Sequence, residues 1–196
     1  MVGNIGPAVS VHMKVLHAAH VGFGRFDSRS VHMVGIVGMM DNRPVERGHL
    51  EEGFRAGMRD IGLQVREDWV VNCELGPPSG GEAFDRLFSQ AGQKPTAIIC
   101  ATDDIALGVF GAARRWGKSI PDDVSVVGYE DNAWTEYYYP ALTTVLHKGW
   151  ELGQQAGRIL LRQYEDITVS AEHVVLPTHL VMRESTSAPK FQEVVP

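Results

Sequence analysis

Two short apolar runs that stop abruptly at acids constrain this chain more than any other feature. Thr96-Ala-Ile-Ile-Cys-Ala101 runs into Thr102-Asp103-Asp104, and Val124-Ser-Val-Val-Gly-Tyr129 runs into Glu130-Asp131, with a helical pattern between them. Continuous β-branched runs of this length fit strands covered on both faces, as in a parallel sheet. The carboxyl ends of such strands are where open α/β sheets bind ligands. Thr102, Asp103, Glu130 and Asp131 are therefore expected to gather at one sheet edge.

The rest of the chain continues the alternation. Met33 to Met39 reads as a first strand, and Glu46 to Ile61 as a helix with Leu50, Phe54, Met58 and Ile61 on one side. Val70 to Leu75 reads as a second strand, followed by a Gly-Pro-Pro-Ser-Gly-Gly loop. Ala83, Leu87 and Phe88 mark a second helix, which Gly92 can close. A third helix is expected from Asp103 to Trp116, stopped by Gly117. A fourth, amphipathic one runs from Trp150 to Tyr164, with Leu152, Ala156, Ile159 and Leu160 together. His173 to Met182 is a late strand or extended segment, and the tail after Ser185 is polar. This pattern predicts an α/β fold, a parallel sheet flanked by helices and built from right-handed βαβ units.

Composition excludes several classes. The net charge is −6 and the 18 basic residues are dispersed, so the chain is not expected to hold nucleic acid by itself. Nothing approaches the run of about 18 apolar residues that a membrane span needs. Met1 to Ser10 carries no basic start followed by an apolar stretch, so a cytoplasmic location is expected. Cys73 and Cys100 lie in apolar strand patterns and read as buried free thiols. His12, His17, His20 and His32 lack an acid or thiol at matching spacing, so neither a metal nor a cofactor is expected. No nucleophile, P-loop or dinucleotide fingerprint appears, which argues against an enzyme.

Four segments, Pro95 to Gly108, Ile120 to Asp131, Pro140-Ala-Leu-Thr-Thr144 and Leu176 to Thr186, together resemble the effector-binding domain of the lactose-repressor and galactose-repressor family of bacterial transcription regulators. The resemblance runs from about Val34 to about Thr186. It implies a type I periplasmic-binding-protein-like fold, represented here mainly by the carboxyl-terminal subdomain. Residues 31–186 then form the effector-binding-like unit, 146–168 a helix crossing toward the other subdomain, 187–196 a tail and 1–30 a divergent or truncated start, with truncation favoured. The DNA-reading headpiece of the family has no counterpart in this stretch.

Residue by residue, the resemblance assigns effector binding to Leu50, Thr102, Asp103, Glu130, Asp131 and His147. The Thr102-Asp103-Asp104 trio equally suits a helix cap, because acids and hydroxyls satisfy the orphan N–H groups of a first turn. Glu130 stands where relatives carry the first of two aspartates. Leu50 is a departure: it stands where sugar-binding and nucleobase-binding members commonly have an arginine, three residues before a Gly-aromatic pair that is Gly53-Phe54 here. An apolar side chain offers no forked donor, so either Arg47, about one turn earlier, substitutes or the ligand is different or binding has been lost. Core packing explains part of the apolar character of Ile105, Val109, Ala112, Trp116, Tyr137 and Tyr138, but the family pairs subunits through these regions and tyrosine favours interfaces, so the resemblance implies homodimerisation there. The function these readings imply is sensing of a small, sugar-like effector. A solute-binding protein for sugar transport and a hydrolase using the strand-end acids are the alternatives.

Overall fold

A computed structural model describes residues 34–37, 44–60, 62–166 and 174–187, with the backbone alone for Val34 and for 44–50. Six strands form one sheet in the order β2-β1-β3-β4-β5-β6: β1 Val34–Val37, β2 Val70–Val71, β3 Ala97–Cys100, β4 Ser125–Glu130, β5 Thr143–Leu146 and β6 His179–Val181. The first five run parallel, and β6 returns antiparallel at the edge of β5. The helices are α1 Pro44–Asp60, α2 Pro77–Ser89, α3 Asp103–Arg115 and α4 Gly149–Glu165.

The unbroken apolar character of the strands has the cause expected of it. Along β3, Ile98 and Cys100 join the core under α2 and α3, while Ile99 joins Phe54 and Met58 of α1 on the opposite face. β4 divides in the same way, Val126 to one side and Val127 to the other. Residues 98–100 of β3 and 125–128 of β4 are thus withdrawn from water whichever way they point, and no polar alternation survives there.

Two boundaries differ instructively from the sequence reading. Pro77 to Gly81, read as a loop, is the first turn and more of α2, with proline at the helix start where a missing N–H costs nothing. Gly80 and Gly81 are buried, and a Cβ at Gly80 would overlap the Ile105 carbonyl, just as one at Gly108 would overlap that of Pro77. The glycines let α2 and α3 approach backbone to backbone. β2, read as Val70 to Leu75, pairs over only two residues, which leaves Cys73 outside the sheet. The end of α3 follows expectation: Gly117 has φ 65, its N–H bonds Arg114 O, and Lys118 N–H bonds Ala113 O, a Schellman stop.

β5 was not anticipated as a strand, because Thr143 and Thr144 interrupt its apolar pattern; both are buried. A short segment beyond β6 stitches β4 to β5. Ser185 is fully buried, its hydroxyl donates to Val126 O at 2.6 Å and accepts from Thr143 N–H at 2.8 Å, and its carbonyl accepts from Val126 N–H. α4 differs from the other helices, because none of its residues is buried. Trp150, Leu152, Leu160, Leu161 and Tyr164 stay exposed on it.

Candidate functional site

The ends of β3 and β4 do bring the four strand-end residues together, and the structure gives them different work. Thr102 caps α3: its backbone is extended and its Oγ1 accepts the Ile105 N–H at 3.2 Å. The capping role of the trio therefore falls to Thr102. Asp103, expected at a ligand floor, is 0% exposed. Its Oδ2 accepts the Asn132 N–H at 2.8 Å and its Oδ1 accepts the Thr144 hydroxyl at 2.5 Å. Burial raises its pKa above the ordinary aspartate value, with Glu130 and Asp131 pushing the same way and the two hydrogen bonds opposing. Gly128 makes room for this carboxyl, since a Cβ there would overlap Oδ1. With both oxygens engaged and no exposed surface, Asp103 is an internal bracket between the start of α3 and the ends of β4 and β5, not a surface open to a ligand.

Asp131 is tied down as well. Arg183 Nη2 donates to its Oδ1 at 2.7 Å, with both side chains less than one-fifth exposed. The same guanidinium donates to Leu142 O at 2.9 Å and Thr135 Oγ1 at 3.0 Å. Arg183 and Ser185 lie within the Leu176 to Thr186 segment, and the sequence pattern alone assigns them no role. The signal available was only that a lone arginine follows the last strand.

Glu130, partly exposed like Asp131, is the one of the three acids whose carboxylate has no hydrogen bond to another element among the described residues. It accepts from Asn132 Nδ2 at 3.1 Å. Its backbone is held at φ 122, and Asp131 follows at φ 59, two successive non-glycine residues in a region that L side chains rarely adopt. Strain of this kind persists only where surrounding bonds over-determine it, and it gathers at ligand sites and switches. The bonds in question are those of Asn132 to Asp103 and of Arg183 to Asp131.

His147 follows β5 at the same edge. Glu130 stands opposite Leu146 in the β4–β5 register, so His147 is one residue beyond that rung. It is half-buried, and its ring lies 5.8 Å from that of Tyr129 at 38°. Leu50 and Arg47 are placed in α1, but their side chains, like the whole of residues 1–33 with His12, His17, His20 and His32, lie outside the described residues. Among the described residues no group of three His, Cys, Asp or Glu could hold a metal ion. Cys73 and Cys100 are free, and burial pushes their thiols up, Cys73 to about 11.

The expected dimer face needs a correction. Ile105, Val109 and Ala112 are 0% exposed, packed inside the core that α3 shares with α2 and the sheet. Their spacing marked an apolar helix face, and a second layer of the same chain covers it. Tyr138 is half-buried between Phe110 and Trp134. Trp116 and Tyr137 do reach the surface, at 43% and 81% exposure. Trp116 is steadied there by donating to Asp85 at 2.8 Å.

Residues 25–186 match the model of the periplasmic binding protein-like domain. Similar sequences include the HTH-type transcriptional repressor PurR of Proteus mirabilis (strain HI4320), 33% identical over 178 residues, which cover 89% of this chain and 52% of that protein. Catabolite control protein A of Priestia megaterium is 31% identical over 143 residues, 73% of this chain and 43% of its own length. The chain thus spans about half the length, or less, of these relatives. A transcriptional regulator LacI from Bacillus cereus subsp. cytotoxis superposes with a TM-score of 0.84 at 21% identity, over 94% of this chain and 62% of that one. The dimeric Lac repressor with an 11-residue carboxyl-terminal deletion gives 0.81 at 24%, over 94% and 64%. The chain belongs to the family of periplasmic binding protein-like domains, and the relatives it is similar to are named as a transcriptional repressor and a catabolite control protein.

Proposed function

We propose that this chain is part of the effector-sensing domain of a cytoplasmic transcription regulator, non-catalytic, with its ligand at the edge formed by Thr102, Glu130 and His147. The observation that carries the reading is the contrast among the acids. Asp103 and Asp131 are bonded to other elements, while Glu130 bonds its neighbour Asn132 and sits on a strained backbone. A carboxylate so placed accepts from the hydroxyl or N–H groups of a small polar molecule. Ribose is named as bound in one structural neighbour and cellobiose in another, and both are rich in such groups. Sugar-like effectors are accordingly the class proposed.

In this reading the effector biases an equilibrium between two arrangements of the whole regulator through its differential affinity for them. DNA contact is assigned to a part of the regulator other than the described residues, and subunits pair through the surface around Trp116 and Tyr137. The described residues around Glu130 supply one wall of a site, and good sites enclose roughly 70–90% of a ligand. Binding is therefore expected near the millimolar range, on the order of −4 kcal/mol.

The test is an amide-resolved NMR titration with D-ribose, D-glucose and hypoxanthine. Glu130, Asn132 and His147 are expected to move first. Glu130→Ala is expected to abolish the shifts. Changes gathered around Gly117 to Pro121, at the opposite end of the strands, would overturn the placement.

A further inference from the structure

The backbone of Asn132 is held by three bonds. Its N–H donates to Oδ2 of Asp103 at 2.8 Å, and its carbonyl accepts the N–H of Thr135 at 2.9 Å and the Thr135 hydroxyl at 2.6 Å. Asp103 and Thr135 are both 0% exposed, and Thr135 Oγ1 also accepts from Arg183 Nη1 at 3.0 Å. Asn132 is thus tied to the first turn of α3 and, through Thr135, to the segment beyond β6. From that fixed root its side chain reaches back to Glu130. Nδ2 donates to Glu130 Oε2 at 3.1 Å, and because an ionised carboxylate only accepts, the amide faces it with its nitrogen. The other oxygen of Glu130 has no hydrogen bond among the described residues.

We propose that Asn132 is a positioning residue of the effector site, holding the Glu130 carboxylate by one oxygen so that the other meets the ligand already aimed. The proposal rests on the effector-site reading above. Glutamate is among the side chains that lose most rotamer freedom when they are ordered. Ordering it before the ligand arrives removes that cost from binding. The turn at Glu130, φ 122, and Asp131, φ 59, is what brings residues 130 and 132 within reach of each other. Asp131 is unavailable for the same task, since Arg183 already holds it. Asp103 acts one step further back. It fixes the Asn132 backbone and so bears on the ligand edge without touching a ligand.

The experiment titrates D-ribose at pH 7 into the full 196-residue chain as wild type, Asn132→Ala and Asn132→Asp, with side-chain amides labelled with nitrogen-15. In the wild type the Asn132 Nδ2 signals are expected to shift with the same concentration dependence as the Glu130 backbone amide. Asn132→Ala is expected to weaken binding about three- to tenfold, the worth of one hydrogen bond. Asn132→Asp keeps the shape and the backbone bonds but sets a second carboxylate against Glu130, and it is expected to weaken binding further. That order separates positioning from packing. A residue that only fills space would leave the isosteric Asp variant near wild type and make Ala the weaker binder. Binding by Asn132→Asp at the wild-type level therefore overturns the proposal. Unchanged affinity in Asn132→Ala, with the Glu130 amide still shifting, overturns it too, and both results leave the effector site standing. Should either variant fail to fold, the wild-type chain decides alone: Asn132 Nδ2 signals that stay still while the Glu130 amide moves contradict the role. Failure of Glu130 and Asn132 alike to respond removes the effector site and the positioning residue together.

Discussion

Asp103 shows how one carboxyl can look like a ligand group in sequence and be a fastener in structure. It joins the first turn of α3 to the ends of two strands, through a backbone amide and a buried hydroxyl. Asp103→Asn puts an N–H₂ group against one of those two donors, and the loss expected is about 1–3 kcal/mol in a urea melt. The pH dependence follows from the sign of the shift. Burial raises the folded pKa above that of the unfolded chain, so the folded form binds the proton more tightly. The contribution of Asp103 is full below the unfolded value and is lost as pH rises through the folded one. Wild type should therefore gain on Asp103→Asn as pH is lowered from 7 toward 4, and a gap that narrows instead would contradict the shift. Removing the partner of Asp131 with Arg183→Met is expected to cost about 2 kcal/mol, since the pair is largely but not wholly withdrawn from water.

At the scale of elements, the α2–α3 contact is the most exacting in the molecule. Gly108→Ala would gain about 1 kcal/mol of helix propensity but force the Pro77 carbonyl aside. A net loss of about 1–3 kcal/mol is expected by thermal or chemical melting. The strands that carry the site were legible because β3 and β4 are unbroken apolar runs ending in acids, a pattern with few other meanings. β5 was not, since two buried threonines look like surface until Asp103 and the Ser185 segment are seen to satisfy them. The start of α2 was hidden because Pro-Pro-Ser-Gly-Gly is turn chemistry everywhere except where two helix backbones must touch. The face of Ile105, Val109 and Ala112 was read correctly as apolar and wrongly as a contact between subunits. Periodicity tells which side of a helix avoids water, and nothing in it says whether the cover comes from the same chain. Likewise the acids were placed at the right edge, but only hydrogen bonds could tell Glu130 from its two neighbours.

At the scale of the whole molecule, pairing of two chains is expected from the surface that remains after that correction. Sedimentation should give about 43 kDa, twice 21.6 kDa, and Tyr137→Asp should shift the chain toward the monomer. With a net charge of −6, duplex DNA should bind weakly and without sequence preference even at low salt, as a mobility-shift assay would show. One more property follows from the way the carboxyl-terminal segment is fastened. β6 pairs with β5, and Arg183 and Ser185 are anchored in β4, β5 and the loops beside them, while α4 between these points buries none of its residues. Continuity of the covalent chain through α4 is then dispensable once the protein has folded. A trypsin cut at exposed Arg158 should yield two fragments that travel together through gel filtration and part only in denaturant. The short carboxyl-terminal piece, supplied separately as a peptide, should be able to complete a sheet from which it has been deleted.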